Sequence, residues 1–114
     1  MFTEMEQKAL QYITDKYNGG YSIIDDILFI NIKTDVFKIC LSDKKISNCY
    51  FIFHKNNRKS MNYNYPIYHF QSKAKTLLYV FFKCTTHYEN KKDNYFYTEK
   101  DYSDYIEKLR NYNK

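Results

Sequence analysis

The fold is decided by residues 27–53, which read ILFINIKTDVFKICLSDKKISNCYFIF. β-branched and aromatic residues dominate three short runs of this stretch, and polar segments separate the runs, a pattern typical of sequential β-strands joined by turns. The three runs are Ile27 to Lys33, Val36 to Leu41 and Ser47 to Phe53. Because the connections are short, we expect these strands to pair as an antiparallel meander.

Helical signals lie near both ends of the chain. Thr3 and Glu6 form a capping-box pattern ahead of apolar residues at helical spacing, and the segment 18–20, Asn-Gly-Gly, ends that helix. Thr98 and Asp101 begin a second helix in the same way. Its apolar stripe is rich in tyrosine and consists of Tyr102, Tyr105, Ile106, Leu109 and Tyr112.

Two further strands complete the predicted sheet. An edge strand runs from Tyr65-Pro66 to Phe70, since proline is excluded from interior strands, and the apolar run Thr76 to Thr85 forms the last strand. The polar segment Asn56 to Asn64 is predicted to be a loop. We therefore predict one α+β domain over residues 1–114, with a single antiparallel sheet of about five strands and an N-terminal and a C-terminal helix packed on it.

The middle third of the chain is basic and lacks acids. From Lys44 to Tyr88 there are seven lysines, one arginine and all three histidines, with no aspartate or glutamate, in a chain of formal net charge +5. Lys, Asn, Ile, Phe and Tyr make up 61 of the 114 residues, which indicates an A+T-rich genome. Codon bias explains abundant lysine but not missing carboxylates, so the acid-free window indicates a polyanionic partner.

Basic side chains and aromatic rings together suit nucleic acid, because lysine and arginine contact phosphates and bases stack on rings. The candidate binding residues are Lys55, Arg58, Lys59, Tyr63, Tyr65, Lys73 and Lys75. We predict a non-enzymatic binding protein whose partner is nucleic acid or a nucleoprotein complex, with an acidic protein surface as the alternative partner. A phage or mobile-element inhibitor of a host system fits this size and composition.

Several classes of protein are excluded or disfavoured by composition. The longest apolar run, Leu77 to Phe82, is too short to cross a membrane, and the first residues do not resemble a signal peptide. Three irregularly spaced cysteines do not suggest a disulfide framework, so we expect a cytoplasmic location, in the protein's own cell or in an infected host cell. The only two glycines are adjacent at a helix end, which excludes a glycine-rich phosphate loop, and we predict no cofactor.

The enzymatic alternative is a metal-independent ribonuclease of toxin type. His54, His69 and His87 fall in three different predicted elements, and a fold that brought them together would supply a general acid and a general base. His54 and His69, with Arg58 as the cation that stabilises the transition state, are the candidate catalytic residues.

Metal chemistry is not predicted. The pairs Cys84/His87 and Cys49/His54 have spacings of possible zinc half-sites, but free cysteine is more often buried and inert. Asp35 and Asp43 lie at opposite ends of one predicted strand, which is unfavourable for a two-metal nuclease.

A third alternative is a protein-interaction or structural subunit. Tyrosine is enriched at protein interfaces, so the C-terminal helix would form a homo-oligomer through its tyrosine-rich stripe.

Overall fold

Five antiparallel strands and their flanking helices form an α+β fold, so the predicted fold class is confirmed. The computed structural model describes residues 2–56, 68–90 and 97–112. The elements in chain order are α1 (Glu4–Tyr17), β1 (Gly20–Ile24), β2 (Ile27–Ile32), β3 (Asp35–Cys40), α2 (Asp43–Ser47), β4 (Tyr50–Asn56), β5 (His69–Ala74), α3 (Leu77–Asn90) and α4 (Glu99–Arg110).

The sheet is a meander in which each strand pairs with the next in sequence, in the order β1-β2-β3-β4-β5. Asp25 and Asp26 form the tight turn between β1 and β2, and their positive φ values of 51° and 65° are those a two-residue hairpin turn needs to match the strand twist. Between β4 and β5 the pairing register shifts by one residue. Ile52 is opposite Ser72, but the next residue, Phe53, is opposite Phe70. This irregularity keeps Phe53 and Phe70 on the same face of the sheet.

The helices cover one face of this sheet. α1 and α3 contact the strands, and α4 packs against α1 and α3. The core between the layers is apolar: Ala9, Leu10, Ile13, Leu28, Ile30, Ile32, Phe37, Ile39, Ile52, Val80, Phe81, Phe82 and Leu109 are all at most 5% exposed. None of the helices in the described ranges combines the length and the apolar character that a membrane span requires.

Both predicted capping boxes are present. The Glu6 amide donates to Thr3 Oγ1 at 3.1 Å while Glu6 Oε1 accepts from the Thr3 amide at 2.9 Å. Thr98 and Asp101 make the same reciprocal pair at the start of α4. Asn18 ends α1 with a left-handed φ of 53°, as the Asn-Gly-Gly segment indicated.

The predicted strand from Thr76 to Thr85 is wrong, because Leu77–Asn90 form helix α3. A short run that is apolar on every side fits a buried strand and a buried helix equally well. The strand predicted to begin at Ser47 begins at Tyr50 instead, after the short helix α2. β1, which was not predicted, replaces the lost strand and keeps the total at five.

The predicted edge strand from Tyr65-Pro66 to Phe70 overlaps β5 only at its end. Residues 57–67, which include most of the predicted loop Asn56 to Asn64, lie outside the described ranges, as do residues 91–96.

Candidate nucleic-acid interface and histidine cluster

Alternation along the strands leaves one face of the sheet uncovered by helices. Residues that are directly opposite in neighbouring strands share a face, so the pairing register assigns the members of this surface. We call it the open face; its described strand residues are Ser22, Ile24, Ile27, Phe29, Asn31, Val36, Lys38, Cys40, Phe51, Phe53, Lys55, Phe70 and Lys73.

One row of the open face crosses the whole sheet and carries three phenylalanines and one lysine. Ser22 is opposite Phe29, Phe29 is opposite Lys38, and Lys38 is opposite Phe53. Phe53 in turn is opposite Phe70, which is 55% exposed. The row therefore presents three phenylalanine rings and one ammonium group side by side on a flat surface.

The rings and lysines of the open face contact one another. The centroids of Phe53 and Phe70 are 5.9 Å apart in an edge-to-face arrangement. Tyr68, just before β5, carries two ammonium groups over its ring, with Lys38 Nζ at 4.6 Å and Lys55 Nζ at 4.7 Å from the centroid. Contacts of this kind hold the long lysine side chains close to the aromatic surface.

The charge of the open face has one sign. The strand residues assigned to it include lysines at three positions, Lys38, Lys55 and Lys73, and neither aspartate nor glutamate. The acids nearest the strands lie elsewhere: Asp25 and Asp26 in the β1–β2 turn and Asp35 on the helix-covered face. A surface with lysines and without carboxylates attracts a polyanion.

The structure assigns the predicted binding residues to different places. Lys55 and Lys73 are on the open face. Lys75 lies after β5 beside a cleft of about 600 Å³ that Cys49, Tyr79 and Tyr102 also line. The other four predicted residues, Arg58, Lys59, Tyr63 and Tyr65, lie outside the described residues.

Sequence reasoning missed most of the aromatic residues of the open face. Phe51, Phe53 and Lys55 alternate with the buried Ile52 and His54, which is the period of a half-buried strand. That alternation was a usable signal, because it places the two phenylalanines and the lysine on one face. The prediction followed the density of charge along the chain instead.

The helix-covered face carries a second polar constellation, which we call the histidine cluster; it consists of Asp35, His54, His69 and His87. The register positions three members, because Phe37 is opposite His54, His54 is opposite His69, and Asp35 shares its face with Phe37. His87 comes from α3, with its ring centroid 4.7 Å from that of His54. The three histidines, which are far apart in sequence, therefore meet in space.

Hydrogen bonds link the cluster in a chain. Asp35 Oδ1 is 2.8 Å from His54 Nε2 and accepts a second bond at 3.2 Å from the side-chain amide of Asn56. His54 Nδ1 is 3.4 Å from His69 Nε2. Asp35 is 3% and His54 6% exposed, so this pair is withdrawn from water, whereas His69 is exposed at the edge strand.

The chemistry of the cluster is set by burial. A carboxylate in this environment needs hydrogen-bond donors or a cation, and Asp35 has two donors in His54 and Asn56. Such a carboxylate fixes which nitrogen of the adjacent imidazole carries the proton. Asp35 was considered only as an acid at the end of a predicted strand, so its part in the cluster was missed; the strand register reveals it.

The cysteines of the possible zinc half-sites lie apart from the histidine cluster. Cys84 is 1% exposed in the core of α3, and burial raises the pKa of its thiol well above the ordinary value. Cys49 is half-buried in the connection before β4. The group of potential ligands that converges contains Asp35, His54 and His87 rather than a thiol.

The tyrosine-rich stripe of α4 packs inside the molecule. Tyr105 and Leu109 are buried, Tyr102 contacts Tyr79 with ring centroids 4.8 Å apart, and Tyr112 contacts Tyr12 at 5.5 Å. Oligomerisation through this stripe stays a prediction.

Comparisons of the chain with known protein families, with curated proteins and with solved structures find no match. Function is accordingly inferred from the side-chain chemistry of the open face and of the histidine cluster.

Proposed function

We propose that this protein binds single-stranded nucleic acid on the open face without acting on it chemically. The observation that carries the proposal is the row Phe29, Lys38, Phe53 and Phe70, which places three stacking surfaces beside a positive charge on a face without described acids. Phe51, Lys55 and Lys73 extend the same chemistry on the neighbouring rows.

One exposed ring and its half-buried neighbours supply the attraction for bases. Stacking of a base on an aromatic side chain contributes about 1–3 kcal/mol and tolerates any sequence, because every base has a π-face. Phe70, at 55% exposed, offers most of its ring to a ligand, and Phe51 and Phe53 flank it with centroids at 6.4 and 5.9 Å.

The lysines supply the attraction for phosphates. Lys38 and Lys55 hold their ammonium groups over Tyr68, so both charges lie beside the rings on which bases would stack. In a single strand the bases project from the phosphate backbone, so rings with lysines beside them can contact both parts of the ligand. Duplexes fit less well, because their bases are already stacked inside the helix and cannot reach a flat sheet.

The preference for single-stranded nucleic acid and the role in a host cell are supported by different features of the chain. The preference for single strands is supported by the aromatic face, whereas a role as a phage or mobile-element inhibitor of a host nucleoprotein complex is supported only by composition and charge. Both an acidic protein and a nucleoprotein complex would use the same lysines, and an acidic protein would have less need of the rings.

The test is fluorescence anisotropy with labelled single-stranded RNA, single-stranded DNA and duplex DNA. Phe70→Ser removes the most exposed ring and should weaken single-strand binding by roughly 5- to 150-fold, the range that corresponds to one stacked base. Ile46→Ser is the matched control, since Ile46 is 84% exposed on α2, outside the open face.

Equal binding of single strands by wild type and Phe70→Ser would contradict the proposal. Binding of an acidic protein but of neither nucleic acid would assign the open face to a protein partner instead.

A second candidate function, cleavage of RNA without a metal ion, is favoured by the chain Asp35–His54–His69. If His54 Nε2–H donates to Asp35, His54 Nδ1 accepts from His69 Nε2–H. His69 then keeps a basic Nδ1 at the exposed edge, where it could accept the proton of a ribose 2′-hydroxyl. His87, beside His54, is the candidate general acid.

This second candidate is tested by incubating RNA with the protein in EDTA. Cleavage in EDTA that is abolished in His69→Ala and in His54→Ala would support it. Intact RNA at every pH between 5 and 8, the range in which an ordinary histidine changes charge, would exclude it.

A further inference from the structure

We propose that Asp35, His54 and His87 bind a divalent transition-metal ion, for which zinc is the best fit. Their ligand atoms all lie within 4.8 Å of one another. The three residues come from β3, β4 and α3, so the site is assembled by the fold rather than by local sequence. This inference goes beyond nucleic-acid binding, because the site is on the helix-covered face and the proposed interface is on the other.

The ligand types determine the class of metal. Two imidazoles and one carboxylate are the donor set of many zinc sites, whereas magnesium and calcium prefer oxygen ligands alone. Cys84 is buried elsewhere in the core, so thiolate-preferring ions are not favoured here.

The spacing of the ligand atoms is close to what a metal requires. Zinc bonds of about 2.0–2.1 Å in a tetrahedral arrangement hold their ligand atoms roughly 3.3 Å apart. Asp35 Oδ1 and His54 Nε2 are already 2.8 Å apart. The widest separation in the site is at most 4.8 Å, so a small rotation of the half-buried His87 ring would close it.

The surroundings also suit a metal centre. Ligating histidines usually donate their other ring N–H to an acceptor, and His54 Nδ1 lies 3.4 Å from His69 Nε2, which can accept that proton. The Asn56 amide donates to the ligating carboxylate of Asp35 at 3.2 Å. The Phe37 ring contacts both His54 and His87, with centroids 5.0 and 5.8 Å away, and forms an apolar wall.

Metal binding would join the two layers of the fold. Asp35 and His54 belong to the neighbouring strands β3 and β4 and His87 to the C-terminal half of α3, so the ion would tie the helix to the strands. Three ligands among the described residues leave the remaining coordination position to water or to a further side chain.

The test uses the full chain with Cys40→Ser and Cys49→Ser, which removes the more accessible thiols as adventitious ligands. Zinc is titrated against a chromophoric chelator, and cobalt is added separately to record its visible absorption. We expect one zinc ion per chain, a tetrahedral or five-coordinate cobalt spectrum without thiolate bands, and a rise in the unfolding temperature with zinc.

Variants then assign the ligands. His87→Gln and Asp35→Asn should each weaken zinc binding at least 100-fold, whereas His69→Gln, which changes only an outer hydrogen bond, should weaken it about 10- to 100-fold. Circular dichroism checks that each variant is folded, and His87→Gln, the half-buried position, provides the test if Asp35→Asn unfolds. Absence of zinc binding in the Cys40→Ser, Cys49→Ser background, or unchanged binding by His87→Gln, would overturn the proposal.

Discussion

Neutralising the lysines of the open face should change how nucleic-acid binding depends on salt. The perturbation is the triple variant Lys38→Gln, Lys55→Gln, Lys73→Gln, which removes the three basic strand residues of the open face. Glutamine keeps most of the side-chain length but removes the ammonium group, so the charge and its cation–π contact with the Tyr68 ring are lost together.

The magnitude follows from the number of charges. Each phosphate neutralised on a single strand contributes about −0.7 to the slope of log affinity against log salt concentration. If each lysine contacts one phosphate, the three together contribute about −2.1, equivalent to a roughly 20-fold loss of affinity when salt rises from about 50 to 200 mM. The triple variant should therefore show a slope shallower by about 2.

The assay is anisotropy with a labelled single-stranded oligonucleotide at four or more salt concentrations. Lys100→Gln is the matched control, because Lys100 lies on α4 with its side chain 82% exposed and pairs with Asp104 at 2.8 Å. Equal slopes for wild type and the triple variant would refute the reasoning, and so would a change in the control as large as that of one open-face lysine.

Three further predictions concern the folded chain. Phe82→Ala should lower the free energy of unfolding, measured by urea titration, by about 3–5 kcal/mol, because Phe82 is 1% exposed and packs among four tyrosine rings. A loss below about 1 kcal/mol would contradict this packing. Burial and the hydrogen bond that Tyr17 donates to Glu89 at 2.5 Å raise the pKa of Tyr17 above its ordinary 10.0, so the stability that this hydroxyl contributes is complete below pH 10 and is lost as pH rises further. Tyr17→Phe should therefore be less stable than wild type at pH 8. A difference in stability between the two proteins that does not shrink above pH 10 would contradict the assignment. Cys84 should react with a thiol reagent only when the protein unfolds, because it is 1% exposed and burial raises the pKa of its thiol. The half-buried Cys49 should react in the native protein. Equal reaction rates of the two thiols in the native protein would contradict the placement of α3.

Local signals predicted the parts of the fold that local chemistry decides. Thr3 with Glu6 and Thr98 with Asp101 determine where helices begin, and both boxes form as expected. The central strands were predicted because polar turns separate short runs of β-branched and aromatic residues in that part of the chain. The run Thr76 to Thr85 was mispredicted as a strand because its apolar residues lie on several sides, which removes the periodicity that distinguishes helix from strand.

The two candidate sites depend on pairing between strands, which single-residue patterns do not encode. The sequence indicated that the three histidines could meet, because they fall in separate predicted elements. The place of Asp35 beside them follows only from the strand register, which puts Asp35 on the same face as His54 and His69. Likewise, Lys38 was not predicted as a binding residue, because it lies before the acid-free window and reaches Phe53 only across the sheet.

Nuclear magnetic resonance of the isotope-labelled protein would show whether single-stranded nucleic acid binds to the open face. A single-stranded oligonucleotide is titrated in, and changes in chemical shift are mapped onto the described residues. We expect the largest changes at Phe29, Lys38, Phe53 and Phe70, with α1 and α4 little affected. Changes centred on the helices while these four residues stay constant, or no changes at low salt, would contradict binding at the open face.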